Sequence, residues 1–193
     1  MPAKKFTDIS KNTISTMLDI AQSFVISFTI YILIFHFIAQ PQRVVSVSMQ
    51  PNFFENDRVI VEKLSYRFSE PKRGEVIVFK YPENEDITLI KRIIGLPGET
   101  LTIKDNIIYI NDQPLPEPYL KEQDSTIGNA EIKENTPYHI NPNEYLVMGD
   151  NRFESGDSRQ WGPISDEHII GRAIFRFWPP RTIGILSRPT ATL

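Results

Sequence analysis

Residues 87–95 read "ITLIKRIIG". Laid out as a strand, Leu89, Lys91 and Ile93 share one face, and Ile90, Arg92 and Ile94 share the other. The run is short, β-branched and closed by "LPGE" (96–99), a turn signal. The same grammar repeats on either side. Before it stand "RVIVEKL" (58–64) and "EVIVFKY" (75–81); after it come "ETLTI" (99–103), "IIYIN" (107–111), "EYLVMG" (144–149) and "IIGRAIFRFW" (169–178). "TIKDNIIYIN" reads as a hairpin. No gap between the earlier runs is long enough for a crossover helix, so parallel βαβ units are not expected. The sequence therefore predicts a mainly β fold, an antiparallel β-sheet domain of about 150 residues, the usual size of one domain. The Pro-, Asn- and Glu-rich stretch 112–143 is expected to be a surface excursion. There is no internal repeat.

Composition narrows the function classes. The 193-residue chain has a net charge of −3, which gives no basic face for nucleic acid. Cysteine is absent, so disulfides, a zinc cluster and a thiol nucleophile are all excluded. Proline outnumbers glycine, 15 to 9, which suits short strands joined by turns. No metal-ligand cluster is evident, and neither a metal nor a cofactor is expected.

One segment has a different character. "IAQSFVISFTIYILIFHFIA" (20–39) contains no Asp, Glu, Lys or Arg. Twenty helical residues rise about 30 Å, the thickness of a bilayer's hydrocarbon core. A buried helix or a cleaved signal peptide would be the alternatives. The run is long for a signal peptide, and Phe37 occupies the position where an A-x-A-like cleavage site needs a small residue. An uncleaved anchor over 18–40 is expected, ended by "QPQR" (40–43), with a short tail at 1–17 and the β-rich domain at 41–193. Lys4, Lys5 and Lys11 outnumber Arg43 and Arg58, a small excess that favours a cytoplasmic tail and an extracytoplasmic domain in the cell membrane. The domain is thus expected behind one N-terminal transmembrane helix, with the lipid bilayer as a partner.

"SVSMQP" (46–51) places two serines directly after the anchor. A serine hydroxyl needs a base to become a nucleophile. His36, His139 and His168 offer no obvious one. Lys91 sits between apolar neighbours, where burial disfavours the ammonium. At the unperturbed pKa only about one lysine in 2,500 is neutral at pH 7, and a fall of two or three units makes it a usable base. Taken alone, Lys91 also reads as an edge lysine whose stem packs while its amine reaches water. A third cluster, "MGDNRFESGDSRQWGP" (148–163), follows a strand and gathers carboxylates, arginines and serines into one loop, a common way of building a site. A solvated turn holding an Asp–Arg pair is the other reading.

Together these blocks resemble the bacterial type I signal peptidases, serine proteases of the Ser/Lys dyad kind. The resemblance runs in order through "SVSMQP" (46–51), "NDRVIVEKLSYRF" (56–68), "KRIIGLPGE" (91–99) and "GDNRFESGDSR" (149–159), behind an N-terminal anchor. It implies that Ser48 is the nucleophile and Lys91 the general base. Ser46 would join the Ser48 N–H in an oxyanion hole. Ser155 would hydrogen-bond the lysine amine, and Asp157 and Arg159 would support the site as a charged pair. It also implies an antiparallel β catalytic domain and secretory preproteins as partners, delivered by the translocation machinery and cut after small residues in an A-x-A-like pattern. Val47 stands where glycine is common, and Asn52 where threonine commonly follows the proline; neither removes a catalytic atom. The rival is a non-enzymatic membrane-anchored assembly factor on the same scaffold, which should have lost Ser48 or Lys91.

Ser48 lies nine residues after Ala39, so it can stand at most about 30 Å along the chain from the end of the span. A membrane-proximal substrate follows. Phe53 and Phe54 come next, and one of them is expected at the lipid interface.

Overall fold

A computed structural model describes residues 3–121 and 125–186. It falls into two units, 1–39 and 40–193. The first is helical. Helix α1 (Ala3–Leu33) continues into a π-helical turn at Ile34–Ile38, and its stretch Thr13–Ile38 is long and apolar enough to cross a bilayer once. Its large apolar side chains, among them Phe24, Phe28 and Tyr31, are exposed, which is unlike a helix from a soluble core. The helix ends before "QPQR": Ala39 is already extended, and Pro41 lies inside strand β1 (Ala39–Arg43). That strand is at the sheet edge, the place where a missing N–H is tolerated.

The second unit contains two antiparallel sheets. The larger has eight strands in the order β1, β2 (Arg58–Glu62), β11 (Ile169–Trp178), β3 (Val76–Tyr81), β4 (Asn84–Gly95), β9 (Glu144–Met148) and β10 (Ile164–Ser165), with β12 (Gly184–Ile185) also paired to β11. The smaller runs β7 (Gln113–Pro114), β6 (Ile107–Ile110), β5 (Thr100–Lys104) and β8 (Tyr138–His139). Each predicted run became a strand. The β5–β6 hairpin turns at Asp105 and Asn106, both at positive φ, the backbone a tight two-residue hairpin turn requires.

Burial follows the period of two, but on both faces. In β3, Val76 and Val78 join a cluster with Val44, Met49, Phe53 and Ile90, while Ile77 and Phe79 pack with Ile93, Tyr145 and Val147. The strand is therefore continuously apolar, as a two-sided strand must be. The stretch 112–143 corrects the expectation of a mere surface excursion. Leu115, Tyr119, Ile132 and Ile140 are buried in a third cluster with Leu101, Ile103 and Ile108. The small sheet has too little apolar surface of its own, and these isolated side chains close its core.

Candidate active site

β4 has twelve residues and presents Lys91 opposite Ile77 of β3. Ser48 lies in the turn after β1, where the Val47 carbonyl accepts from Gln50 N–H and the Met49 carbonyl from Phe53 N–H. The turn is fastened from the far side: Asn151 N–H donates to the Ser48 carbonyl at 2.9 Å, and Asn151 Nδ2 to the Val47 carbonyl at 3.3 Å. Residues 43 positions apart thereby meet. Lys91 Nζ and Ser48 Oγ are in hydrogen-bond contact at 2.5 Å, and both side chains are almost wholly buried. Ser46 Oγ lies 2.9 Å from Ser48 Oγ, but on the exposed side.

Burial is what sets the chemistry of the amine. Desolvation is the largest influence on Lys91 and lowers its pKa from 10.5 to about 8, with Arg159 adding to the fall. Asp157 and Asp150 pull in the other direction and do not prevail. Neither histidine of the β unit takes this place: His139 faces Thr100, and His168 faces Ser165.

The segment 149–159 has almost no regular structure and is held by charge. Asp157 caps α2 (Ser158–Trp161) by accepting the Arg159 N–H, and takes Arg159 Nε at 2.8 Å and Nη2 at 2.9 Å. It also accepts Gly149 N–H at 3.1 Å. Burial alone would raise the Asp157 pKa; the hydrogen bonds and charge of Arg159 outweigh it and hold the carboxyl below its usual range. Ser155 Oγ is buried and makes no hydrogen bond to the Lys91 amine in this geometry; its hydroxyl is close enough to Asp157 to help hold that carboxyl low.

Sequence reading gave no role to several groups that build this region. Arg92, the neighbour of Lys91, points to the opposite face and grips Asp150 with Nε at 2.8 Å and Nη2 at 2.6 Å. Asn52 Nδ2 donates to the same carboxylate at 2.9 Å and to the Tyr119 carbonyl at 2.8 Å, so the asparagine departure is a tie between loops. Arg152 is buried, donates to the Gly149 carbonyl and pairs with Glu117 and Thr126. The run of charges in "GDNR" was visible in the sequence. Its distant partners Asn52, Glu117 and Thr126 were not.

Strand pairing thus brings a buried serine–lysine contact and a charged loop together in one place. The chain matches the signal peptidase family, peptidase S26, over residues 17–178. It is 42% identical to signal peptidase I of Leptolyngbya laminosa over 161 residues, covering 79% of this chain and 75% of that one. It is 37% identical to probable signal peptidase I-2 of Synechocystis sp. over 178 residues, 90% of this chain and 78% of the relative. A crystal structure of a signal peptidase I from Enterococcus faecalis V583 is 30% identical and aligns with a TM-score of 0.45, over 54% of this chain and 97% of that one. The chain belongs to the signal peptidase family, peptidase S26. It is accordingly a serine endopeptidase whose activity is signal peptide removal.

Proposed function

We propose that Ser48 and Lys91 form the catalytic dyad, and that the chain cleaves secretory preproteins after small residues in an A-x-A-like pattern. The 2.5 Å contact between Ser48 Oγ and Lys91 Nζ, in a place where lysine is partly neutral near pH 8, carries the reading. Neutral Lys91 accepts the Ser48 proton as Oγ attacks the scissile carbonyl. Ser46 Oγ–H and the Ser48 backbone N–H hold the oxyanion. Lys91 returns its proton to the leaving amine, and water then hydrolyses the acyl-enzyme. The Asp157–Arg159 pair keeps Gly149 and its neighbours in register beside Ser48. In this proposal Ser155 accepts a hydrogen bond from the amine once Lys91 turns from the serine. The substrate lies extended beside residues 44–48, as an added strand.

In the same proposal, residues 1–17 are a cytoplasmic tail, 18–40 the anchor, and 41–193 an extracytoplasmic domain that meets preproteins delivered by the translocation machinery. The test is cleavage of a preprotein by the full chain in detergent, with the cut bond identified by mass. The expected result is cleavage after a small residue. The rate should rise about tenfold per pH unit below about 8 and then level, because only the deprotonated amine is active. A chain inert on several preproteins, or a rate flat from pH 6 to 9, would count against the dyad. Inertness would bring the assembly-factor reading forward.

Phe53 and Phe54 differ in their surroundings. Phe53 is buried under Arg176, 5.0 Å from its guanidinium, while Phe54 is 49% exposed. Phe54 is thus the one available to a lipid interface. A Phe54→Trp chain in liposomes containing brominated lipid should show quenching beyond that of the wild-type chain; equal quenching would place Phe54 in water.

A further inference from the structure

A second cleft, of about 340 Å³, opens in the β unit, and neither Ser48 nor Lys91 lines it. That volume is in the range of small-ligand sites. Its polar wall is made of three arginines, Arg92, Arg172 and Arg176, against one carboxylate, Glu75. Each arginine is ion-paired, Arg92 with Asp150, Arg172 with Glu75 and Arg176 with Asp57, and of these carboxylates only Glu75 lines the cleft.

The guanidinium groups are held in place. Arg92 lies 4.1 Å from the Tyr119 ring centroid and Arg176 5.0 Å from that of Phe53. Their hydrogen bonding is uneven. Arg92 uses Nε, Nη1 and Nη2 on Asp150 and the Gly74 carbonyl. Arg172 gives Nη1 to Glu75, and Arg176 gives Nη1 to Asp57 and Nη2 to the Asn52 carbonyl. The Nε atoms of Arg172 and Arg176 are both buried with no acceptor among the described residues. Buried donors are ordinarily paired, and two such vacancies on one wall are unusual. The same cleft is also lined by apolar groups, among them Leu186 and Ile185, the latter 84% exposed.

We propose that this cleft binds an oxyanion carried on an apolar body. The oxyanion occupies the arginine wall, where the Arg172 head, 36% exposed, turns its Nε–Nη2 edge to form a two-point contact. The apolar body lies against Ile185 and Leu186. A phospholipid headgroup and a free phosphate share the required chemistry, and binding of either is separate from the peptidase reaction.

The test uses the full chain in a neutral detergent, labelled at the arginine Nε nitrogens and titrated with inorganic phosphate or with monomeric dihexanoyl phosphatidylglycerol. Saturable movement of the Arg172 and Arg176 Nε–H resonances is expected. Arg172→Gln should weaken binding about tenfold. Ile185 is exposed enough for both signs of charge: Ile185→Glu should weaken binding about threefold at low salt, and Ile185→Lys should tighten it by a similar factor. Tailed probe at least tenfold tighter than phosphate identifies a lipid headgroup; equal affinities identify a free oxyanion. No saturable movement with either probe, or affinities that ignore Arg172→Gln and both Ile185 variants, would overturn the proposal.

Discussion

Lys91→Ala is expected to lower preprotein cleavage by about 10,000-fold, and Ser48→Ala by as much, with no further loss when the two are combined. In the proposed dyad the two groups act on one proton, so removing either leaves the other without a task. Among the described residues, nothing near the amine can stand in for it. His139 and His168 are committed elsewhere, and the nearby carboxylates, Asp150 and Asp157, are tied to Arg92 and Arg159. Lys91→Arg should be as inactive as Lys91→Ala, because a guanidinium does not give up its proton near neutral pH. Retained circular dichroism and cooperative melting would show that each variant stays folded. If Lys91→Ala kept more than about one-hundredth of wild-type activity, another base would serve Ser48 and the mechanism would fall.

Gly149→Ala should produce the next largest effect, about 100-fold or more in kcat with little change in KM. A Cβ there would lie 2.3 Å from Ser155 Oγ, 2.6 Å from Ser155 Cβ and 2.4 Å from the Ser48 carbonyl oxygen. The requirement is for space, since Gly149 does not have the positive φ that favours glycine. A side-chain hydroxyl can rotate away; a carbonyl cannot move without carrying Ser48 with it. The Asn151 N–H bond to that carbonyl would shift too. Pairing Gly149→Ala with Ser155→Gly separates the two contacts. Loss in the double variant beyond that of Ser155→Gly alone points to the Ser48 carbonyl. Full recovery would mean that the backbone contact is relieved easily and that Gly149 does not position the nucleophile.

How much of this was readable from the sequence depends on the length scale. Runs such as "VIVF" and "TLTI" announce strands because a period of two needs only four or five residues to appear. β7, β8, β10 and β12 have two residues each and show no period at all. Order within the sheet was not legible either, since β11 enters between β2 and β3 from more than 80 residues away. Ile132 and Ile140 lie in a stretch whose composition reads as solvent-exposed, yet both are fully buried. Single apolar residues separated by polar ones carry no pattern, and only the partner sheet gives them one. Lys91 was legible as an amine among aliphatic neighbours. That it reaches Ser48 was implied by resemblance to known enzymes. The crowding around Gly149 had no trace in the sequence, because a glycine followed by polar residues reads as an ordinary turn.

The buried amine also bears on the energetics of the whole fold. A lysine pKa of about 8 in the folded chain, against 10.5 when solvated, corresponds to a penalty on the order of 3 kcal/mol, present in full at neutral pH. The unfolded chain binds the proton more tightly between about pH 8 and 10.5, so stability rises with pH across that window. That is a sizeable fraction of a typical folding free energy. A methionine at 91 would fill much of the same space with no charge to desolvate. A scaffold selected only to persist would gain by that exchange, whereas one that must move a proton would not. The presence of a lysine in so costly a place is therefore a thermodynamic argument for catalysis, independent of any likeness to other enzymes.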